Sequence, residues 1–291
     1  MERKRRMIMT MTTKKVALTI AGSDPSGGAG IAADLKTFMA NGVYGCSVIT
    51  ALTAQNTKEY WATQPVAGHM VTDQLLSVLT DIRPDAVKIG MLPNVGIMGE
   101  VAEILEKEDL PHVVVDPVMV STSGKALMAE NAKAVFVEKI LPLCDLVTPN
   151  IPETEELLKL LGQEVAAERS GDEEAWMQQA AQVLSHALQI DVLVKGGHCQ
   201  GAPSDYLYCF DEKKGTWLKG LRIPNPNHHG TGCTLSSAIA ANLAKGFDRL
   251  RAAALAKEYL TTCLSAGLDL GQGSGPMDHG CVLQGDYLEE A

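Results

Sequence analysis

VALTIAG (residues 16–22), SDPSGGAG (23–30) and IAADLKTFMANG (31–42) follow one another without interruption. The first is a short, almost continuous apolar run, the pattern of a strand buried on both faces. In the third, Ile31, Leu35 and Phe38 recur at helical spacing, and Gly42 stops the helix. Strand, glycine-rich turn and helix in this order begin a parallel β/α unit. Downstream the alternation continues. VYGCSVITALTAQNT (43–57) reads as a strand followed by a polar loop, and helices are expected over 70–81 and 95–107, separated by DAVKIGML with a strand ending at Gly90. HVVVDPV (112–118), CDLVTPN (144–150) and DVLVKGG (191–197) are apolar runs stopped by polar or glycine residues. The charged stretch 162–174 reads as a surface loop leading into a helix over 174–188. Residues 206–210 and 215–223 alternate around DEKKG as a β-hairpin would. NPNHHGTGC then leads into a small-residue helix stopped at Gly246, and a last helix over 250–268 precedes a glycine-rich tail. The expected fold class is α/β with a parallel sheet. Such sheets bind ligands beyond the C-terminal ends of their strands, where this chain places polar residues and glycines.

No internal repeat or Pro- or Ser-rich linker divides the 291 residues, so residues 16–291 are expected to form a single domain. With 46% hydrophobic and 21% charged residues, that domain can bury a core without disulfides or a structural metal. The net charge of −10 is uneven: residues 1–15 carry six Lys or Arg and one acid, net +5, which leaves −15 for the remainder. A body that acidic excludes a general binder of nucleic acid or of anionic membrane, because neutralising phosphates takes clustered basic residues. The basic leader, residues 1–15, lacks the apolar stretch of a secretory signal and is expected to be disordered. No apolar run approaches the ~18 residues of a membrane span. Seven scattered cysteines without a C-x-x-C pair read as reduced thiols, hence a cytoplasmic location.

Three constellations carry candidate chemistry. Gly27, Gly28 and Gly30, flanked by Ser23, Asp24, Ser26 and Asp34, resemble a phosphate loop but match neither G-x-G-x-x-G nor a P-loop, so a tight turn remains the alternative. In HGTGCT (229–234), Gly230 and Gly232 lead into a helix; they make a nest of N–H groups reinforced by the helix dipole, suited to an anion whose charge grows during reaction. Cys233 stands in the same turn, where thiol pKa values tend to fall; a buried structural cysteine is the alternative. Asp116, Asn150 and Glu153 stand at strand ends and suit Mg²⁺, a hard cation that keeps several waters; equally, Asn150 and Glu153 could form a capping box. Lys195, directly after an apolar strand, could meet a phosphate or be a solvated surface lysine. His228 and His229 lack the partner spacing of a metal site, and no G-x-S-x-G elbow is present.

AGSDPSGGAGIAADLKTF, ITALTAQNT, VKIGML, DPVMV, TPNIPE, LVKGGH and HGTGCTLSSAIAA, in this order, closely resemble the hydroxymethylpyrimidine/phosphomethylpyrimidine kinases of the ribokinase-like superfamily, over about residues 16–280. The resemblance implies a three-layer α/β/α sandwich with a mostly parallel central sheet. It also implies a small-molecule substrate, ATP and Mg²⁺ as cosubstrates, a possible monovalent cation, and a homodimer. It places the aminopyrimidine near Gly22, Ala29, Asp34, Gln55, Met91 and Val118, with Gln55 reading the amino and ring nitrogens. By the same carry-over Cys233 assists deprotonation of the substrate hydroxyl beside the Gly230–Thr231–Gly232 anion hole. Asp116 and Glu153 serve Mg²⁺, and Lys195, Thr231 and Asn150 contact the nucleotide. Pyridoxal kinases share most of these motifs but tend to carry methionine at the position of Gln55 and cysteine at that of Ser121, so both residues favour the pyrimidine. One departure is Thr122, where many relatives have a lysine in the lid.

Overall fold

The computed structural model describes residues 13–119, 127–169, 172–197 and 201–284. The lid positions Ser121 and Thr122 and most of the basic leader lie outside the described residues. The chain runs β1 (Val16–Ala21), α1 (Gly30–Ala40), β2 (Tyr44–Ile49), β3 (Ala51–Gln55), β4 (Tyr60–Pro65), α2 (Gly68–Leu79), β5 (Ala86–Ile89), α3 (Val95–Glu108) and β6 (Val113–Val115). It continues with α4 (Glu130–Val135), prolonged by a π-turn segment Phe136–Ile140, then β7 (Leu146–Val147), α5 (Ile151–Leu160), α6 (Glu173–Leu188) and β8 (Asp191–Val194). Last come β9 (Asp205–Cys209), β10 (Lys214–Leu218), α7 (Thr231–Ala244) and α8 (Arg249–Ser265).

Among the described residues the main sheet has the order β10-β9-β8-β7-β6-β5-β1-β2. The run from β8 to β2 is parallel, and the β9–β10 hairpin closes the other edge antiparallel. This is the mostly parallel α/β/α sandwich expected from the sequence. The strands are apolar throughout because both faces are covered. Their period of two sorts the side chains: Leu18, Ile20, Val87, Ile89, Val113 and Val115 face the core under α2–α6. Ala17, Ala86, Val114 and Leu193 face the core under α1, α7 and α8. Thr19 and Lys88 fall on that second face and are register partners across β1 and β5.

Helix α7 is buried from Thr234 to Ala244, which its Ala- and Ser-rich sequence permits by letting neighbouring backbones approach. Residues 43–57, expected as a strand followed by a polar loop, instead hold β2 and then β3, which pairs with β4 (Tyr60–Pro65) in a separate antiparallel ribbon. Its side chains are mostly half-exposed, so burial left no alternating signature to read. The ribbon is fastened to the glycine turn instead: Ser23 N–H donates to Ala51 O at 2.8 Å, and Thr53 Oγ1 donates to Ser23 O at 2.8 Å.

Candidate active site

All parallel strands end on the same edge of the sheet, and their following residues converge on a cavity of about 1190 Å³. Gly22, Ala29, Gln55, Met91 and Val118 line one end, Gln55 being carried there by β3. Asp116, Asn150, Glu153 and Lys195 line the cavity too, beside Gly230, Thr231, Gly232 and Cys233. One expected substrate contact is not on the wall. Asp34 is fully buried, and its carboxylate is saturated by Lys88 Nζ at 2.8 and 2.9 Å, Thr19 Oγ1 at 2.6 Å and Ser237 Oγ at 2.7 Å. Asp34 faces inward from α1 because Lys88, on the strand face beneath, needs an acid to be buried at all.

The glycine turn also differs from a phosphate nest. Its N–H groups close on Asp24: Ser26 N–H donates to Asp24 Oδ1 at 2.9 Å, Ala29 N–H to Oδ2 at 2.8 Å, and Gly27 N–H to the Asp24 carbonyl at 3.0 Å. The tight-turn alternative therefore describes these residues. Glycine is required at Gly30 because a Cβ there would lie 2.3 Å from the Gly22 carbonyl.

The second glycine constellation is built as an anion hole. Gly230 is left-handed (φ 81°) and caps α7, and a Cβ on it would come within 1.9 Å of the Gly28 carbonyl. The first N–H groups of a helix have no intrahelical acceptor and carry its positive end; here those of Thr231, Gly232 and Cys233 stand at the cavity wall. Gly232 runs beside the Lys195–Asp116 pair, since a Cβ on it would sit 3.1 Å from Asp116 Oδ2 and 3.3 Å from Lys195 Nζ. The expectation of a lowered Cys233 pKa is overturned. Burial pushes the thiol up to about 11, and Asp34 and Asp116 push the same way; Lys88 and the Gly30 N–H, which donates to the sulfur, only partly oppose them. Helix position alone does not make a thiolate when the site is dry.

Lys195 Nζ donates to Asp116 Oδ1 at 2.6 Å and lies 3.9 Å from Glu153 Oε2. Burial works against its charge, but Asp116 and Glu153 outweigh it and raise the lysine's pKa. Glu153 is shifted upward, first by burial and then by Asp116, against the pull of Lys195. The capping box is formed: Glu153 N–H donates to Asn150 Oδ1 at 2.9 Å, and Asn150 N–H to Glu153 Oε2 at 2.8 Å. Capping and site position coincide, because the box turns Glu153 into the cavity. Among the described residues no group of three or more His, Cys, Asp or Glu could hold a metal alone. Two hard carboxylates on one cavity wall fit a Mg²⁺ that keeps waters and arrives with a nucleotide, and do not fit a resident metal cage.

Three features of the site escaped the sequence reading. One is the buried Lys88–Asp34 pair beneath Cys233. Another is the contact of His229 Nε2 with Asp24 Oδ2 at 2.8 Å. The third is the C-terminal segment, read as a tail, which braces the start of α7: Thr234 Oγ1 meets His279 Nε2 at 2.9 Å, and His229 bridges to Pro276. A histidine just ahead of G-T-G and a lysine inside an apolar strand were the available signals.

Comparison with known proteins gives concordant results. The family model described as phosphomethylpyrimidine kinase matches residues 24–278. A hydroxymethylpyrimidine/phosphomethylpyrimidine kinase of Rhizobium meliloti is 46% identical over 269 residues, 91% of this chain and 96% of that protein. The crystal structure of phosphomethylpyrimidine kinase from Clostridium difficile superposes with a TM-score of 0.73 at 41% identity, covering 85% of this chain and 98% of that one. An ADP complex of Bacillus subtilis pyridoxal kinase superposes with a TM-score of 0.80 at 34% identity, covering 93% and 99%.

Proposed function

The chain belongs to the phosphomethylpyrimidine kinase family, and on that premise we propose that it phosphorylates 4-amino-5-hydroxymethyl-2-methylpyrimidine with ATP, and then the monophosphate, to give the pyrophosphate used in thiamine biosynthesis. The observation that carries this reading is one continuous cavity joining a wall of Gly22, Gln55 and Met91 to a helix-capping anion hole, with Cys233 between them. Gln55 offers an amide donor and acceptor to the edge of an aminopyrimidine. The apolar flank formed by Leu221, Ile223, Pro224 and Leu260 suits a nucleotide base, and Lys195 with Thr231 suits its phosphates.

Phosphoryl transfer asks mainly for positioning and charge neutralisation. The Gly230–Gly232 backbone supplies donors where negative charge grows. Cys233, held as a thiol, accepts a hydrogen bond on its sulfur from the substrate hydroxyl and so orients it; the proton itself leaves late, to a phosphoryl oxygen of the transferring group, a modest demand in a loose transition state. Asp116 and Glu153 would hold Mg²⁺ through oxygen and water. Held there, Mg²⁺ would supply positive charge against the phosphates of the nucleotide. The same proposal carries the cytoplasmic setting and the homodimer that the family resemblance implies, whereas a monovalent cation has no site assigned to it.

A second reading, vitamin B6 kinase, is favoured by the overlay on Bacillus subtilis pyridoxal kinase. Side-by-side kinetics on the hydroxymethylpyrimidine, its monophosphate and pyridoxal with Mg-ATP separate the two. The pyrimidines should be used with the higher kcat/KM; a pyridoxal value equal to or above theirs would replace the first reading with the second.

A further inference from the structure

Asp24 and His229 are 205 residues apart in sequence and meet in the wall of the cavity. Their side chains are 1% and 13% exposed. Both carboxylate oxygens of Asp24 are committed. Oδ1 accepts from the Ser26 N–H at 2.9 Å and Ser26 Oγ at 2.7 Å; Oδ2 accepts from the Ala29 N–H at 2.8 Å and meets His229 Nε2 at 2.8 Å. One side chain thus shapes the glycine turn and reaches across to the other ligand loop. The imidazole packs against that turn, since a Cβ on Gly28 would strike its Cδ2 at 2.7 Å. Behind it, the His229 backbone is held by Gly275, whose carbonyl accepts its N–H at 3.3 Å, and by the bridge to Pro276. The next residue is Gly230, whose left-handed cap presses on the Gly28 carbonyl and opens the anion hole.

We propose that Asp24 and His229 form a positioning latch. It fixes the Gly230–Cys233 turn against the glycine turn, whose Gly22 and Ala29 line the same cavity. Neither residue does the chemistry. The latch sets the distance between the acceptor's wall and the donors that hold the transferring group, and small errors in that distance are costly: a misplacement of ~1 Å can lower turnover ~100-fold. In its catalytic consequence the proposal rests on the kinase reading, but the geometry of the latch does not. The experiment therefore has one readout that needs no substrate.

Full-length wild type, His229→Leu, His229→Gln and Asp24→Asn are compared. With the pyrimidine and Mg-ATP, His229→Leu should lower kcat roughly 30-fold while moving either KM less than about threefold. His229→Gln, whose amide N–H can still reach Asp24, should recover most of that loss. Asp24→Asn combined with His229→Leu should be no slower than the slower single variant, because the pair acts as one unit. Without substrate, release of the latch should speed alkylation of Cys233, located by peptide mass spectrometry, several-fold in His229→Leu and not in His229→Gln. Equal alkylation of wild type and His229→Leu would overturn the latch, as would losses that multiply in the double variant or a glutamine no better than leucine. Should His229→Leu not fold, His229→Asn, too short to reach Asp24, takes its place. Wild type inert toward the pyrimidine would refute the kinase reading while leaving the alkylation pattern to decide the latch.

Discussion

The Cys233 thiol is held up to about 11, against 9.0 for an ordinary cysteine, by burial together with Asp34 and Asp116. At pH 8 an ordinary thiol is ~9% thiolate and one at about 11 is ~0.1%, so iodoacetamide should alkylate Cys233 roughly 100-fold more slowly than an ordinary cysteine of equal access. The assay is alkylation of the native enzyme across pH 7–11, read at the Cys233 peptide: a thiol at about 11 still gains about tenfold in rate per pH unit near pH 9.5, where an ordinary one is levelling off, and that shape is independent of access. Two substitutions then test the cause. Lys88→Met removes the buried cation that opposes the rise, and should move the half-maximal pH further up. Asp34→Asn removes an anion that drives the rise and leaves the cation, so it should move the half-maximal pH down. Each breaks a fully buried ion pair and should cost ~3–5 kcal/mol, so unfolding is followed in parallel. A common structural effect moves both variants the same way; electrostatics moves them oppositely. A wild-type midpoint at or below 9, or equal shifts in one direction, would refute the reasoning.

Burial pushes the His279 imidazole down to about 4, helped by Lys36, so between that value and its unfolded 6.5 the unfolded chain binds the extra proton. Its contribution is therefore complete above pH 6.5 and lost as pH falls toward 4, by ~3 kcal/mol in all; urea unfolding at pH 7.5 and 4.5 should show that slope in the wild type and not in His279→Asn. Gly230→Ala combines a left-handed backbone with a Cβ 1.9 Å from the Gly28 carbonyl, and should lower kcat ~100- to 1000-fold by displacing the anion hole. Gly246→Ala, equally left-handed at φ 89° but with open space around it, should cost only ~1–2 kcal/mol of stability and leave turnover intact. The expected leader reaches one residue too far, since Lys15 Nζ pairs with Asp85 at 2.6 Å and its carbonyl receives the Tyr44 N–H; a chain starting at Thr13 keeps both and should retain full turnover and thermal stability, and a large loss would show that residues 1–12 take part in the fold.

What was legible in the sequence is what burial writes into it. The parallel strands are apolar because both faces are covered, and α1 shows its spacing because one side packs on the sheet. The β3–β4 ribbon left no such mark: Leu52 and Trp61 are exposed, and its position is set by hydrogen bonds to Ser23, one from the Thr53 hydroxyl, that leave no hydrophobic alternation. Strand β7, two residues long, was readable only through the Thr-Pro-Asn that stops it. The segment from α4 through its π-turn was not anticipated, although the residues it buries, Ala132, Phe136 and Ile140, recur at a helical spacing of four.

For the site, residue types and order located the cavity wall but not the partnerships. Asp34 and Lys88 are 54 residues apart, and only the register of Thr19 with Lys88 on the face under α1 brings all three together. Asp24 and His229 are further apart still. Both pairs change the meaning of a glycine motif. The first glycine turn spends its N–H groups on Asp24 and so positions; the second keeps those of the first turn of α7 at the cavity and so can bind. Two nests of similar sequence thus do different things, and the difference lies in whether a carboxylate is already seated in them. An acidic chain can serve a polyanionic cosubstrate on these terms. Asp24 and Asp34 are neutralised or saturated inside the fold, while Lys195 and the start of α7 remain at the cavity surface, and local donors rather than net charge decide what the cavity holds.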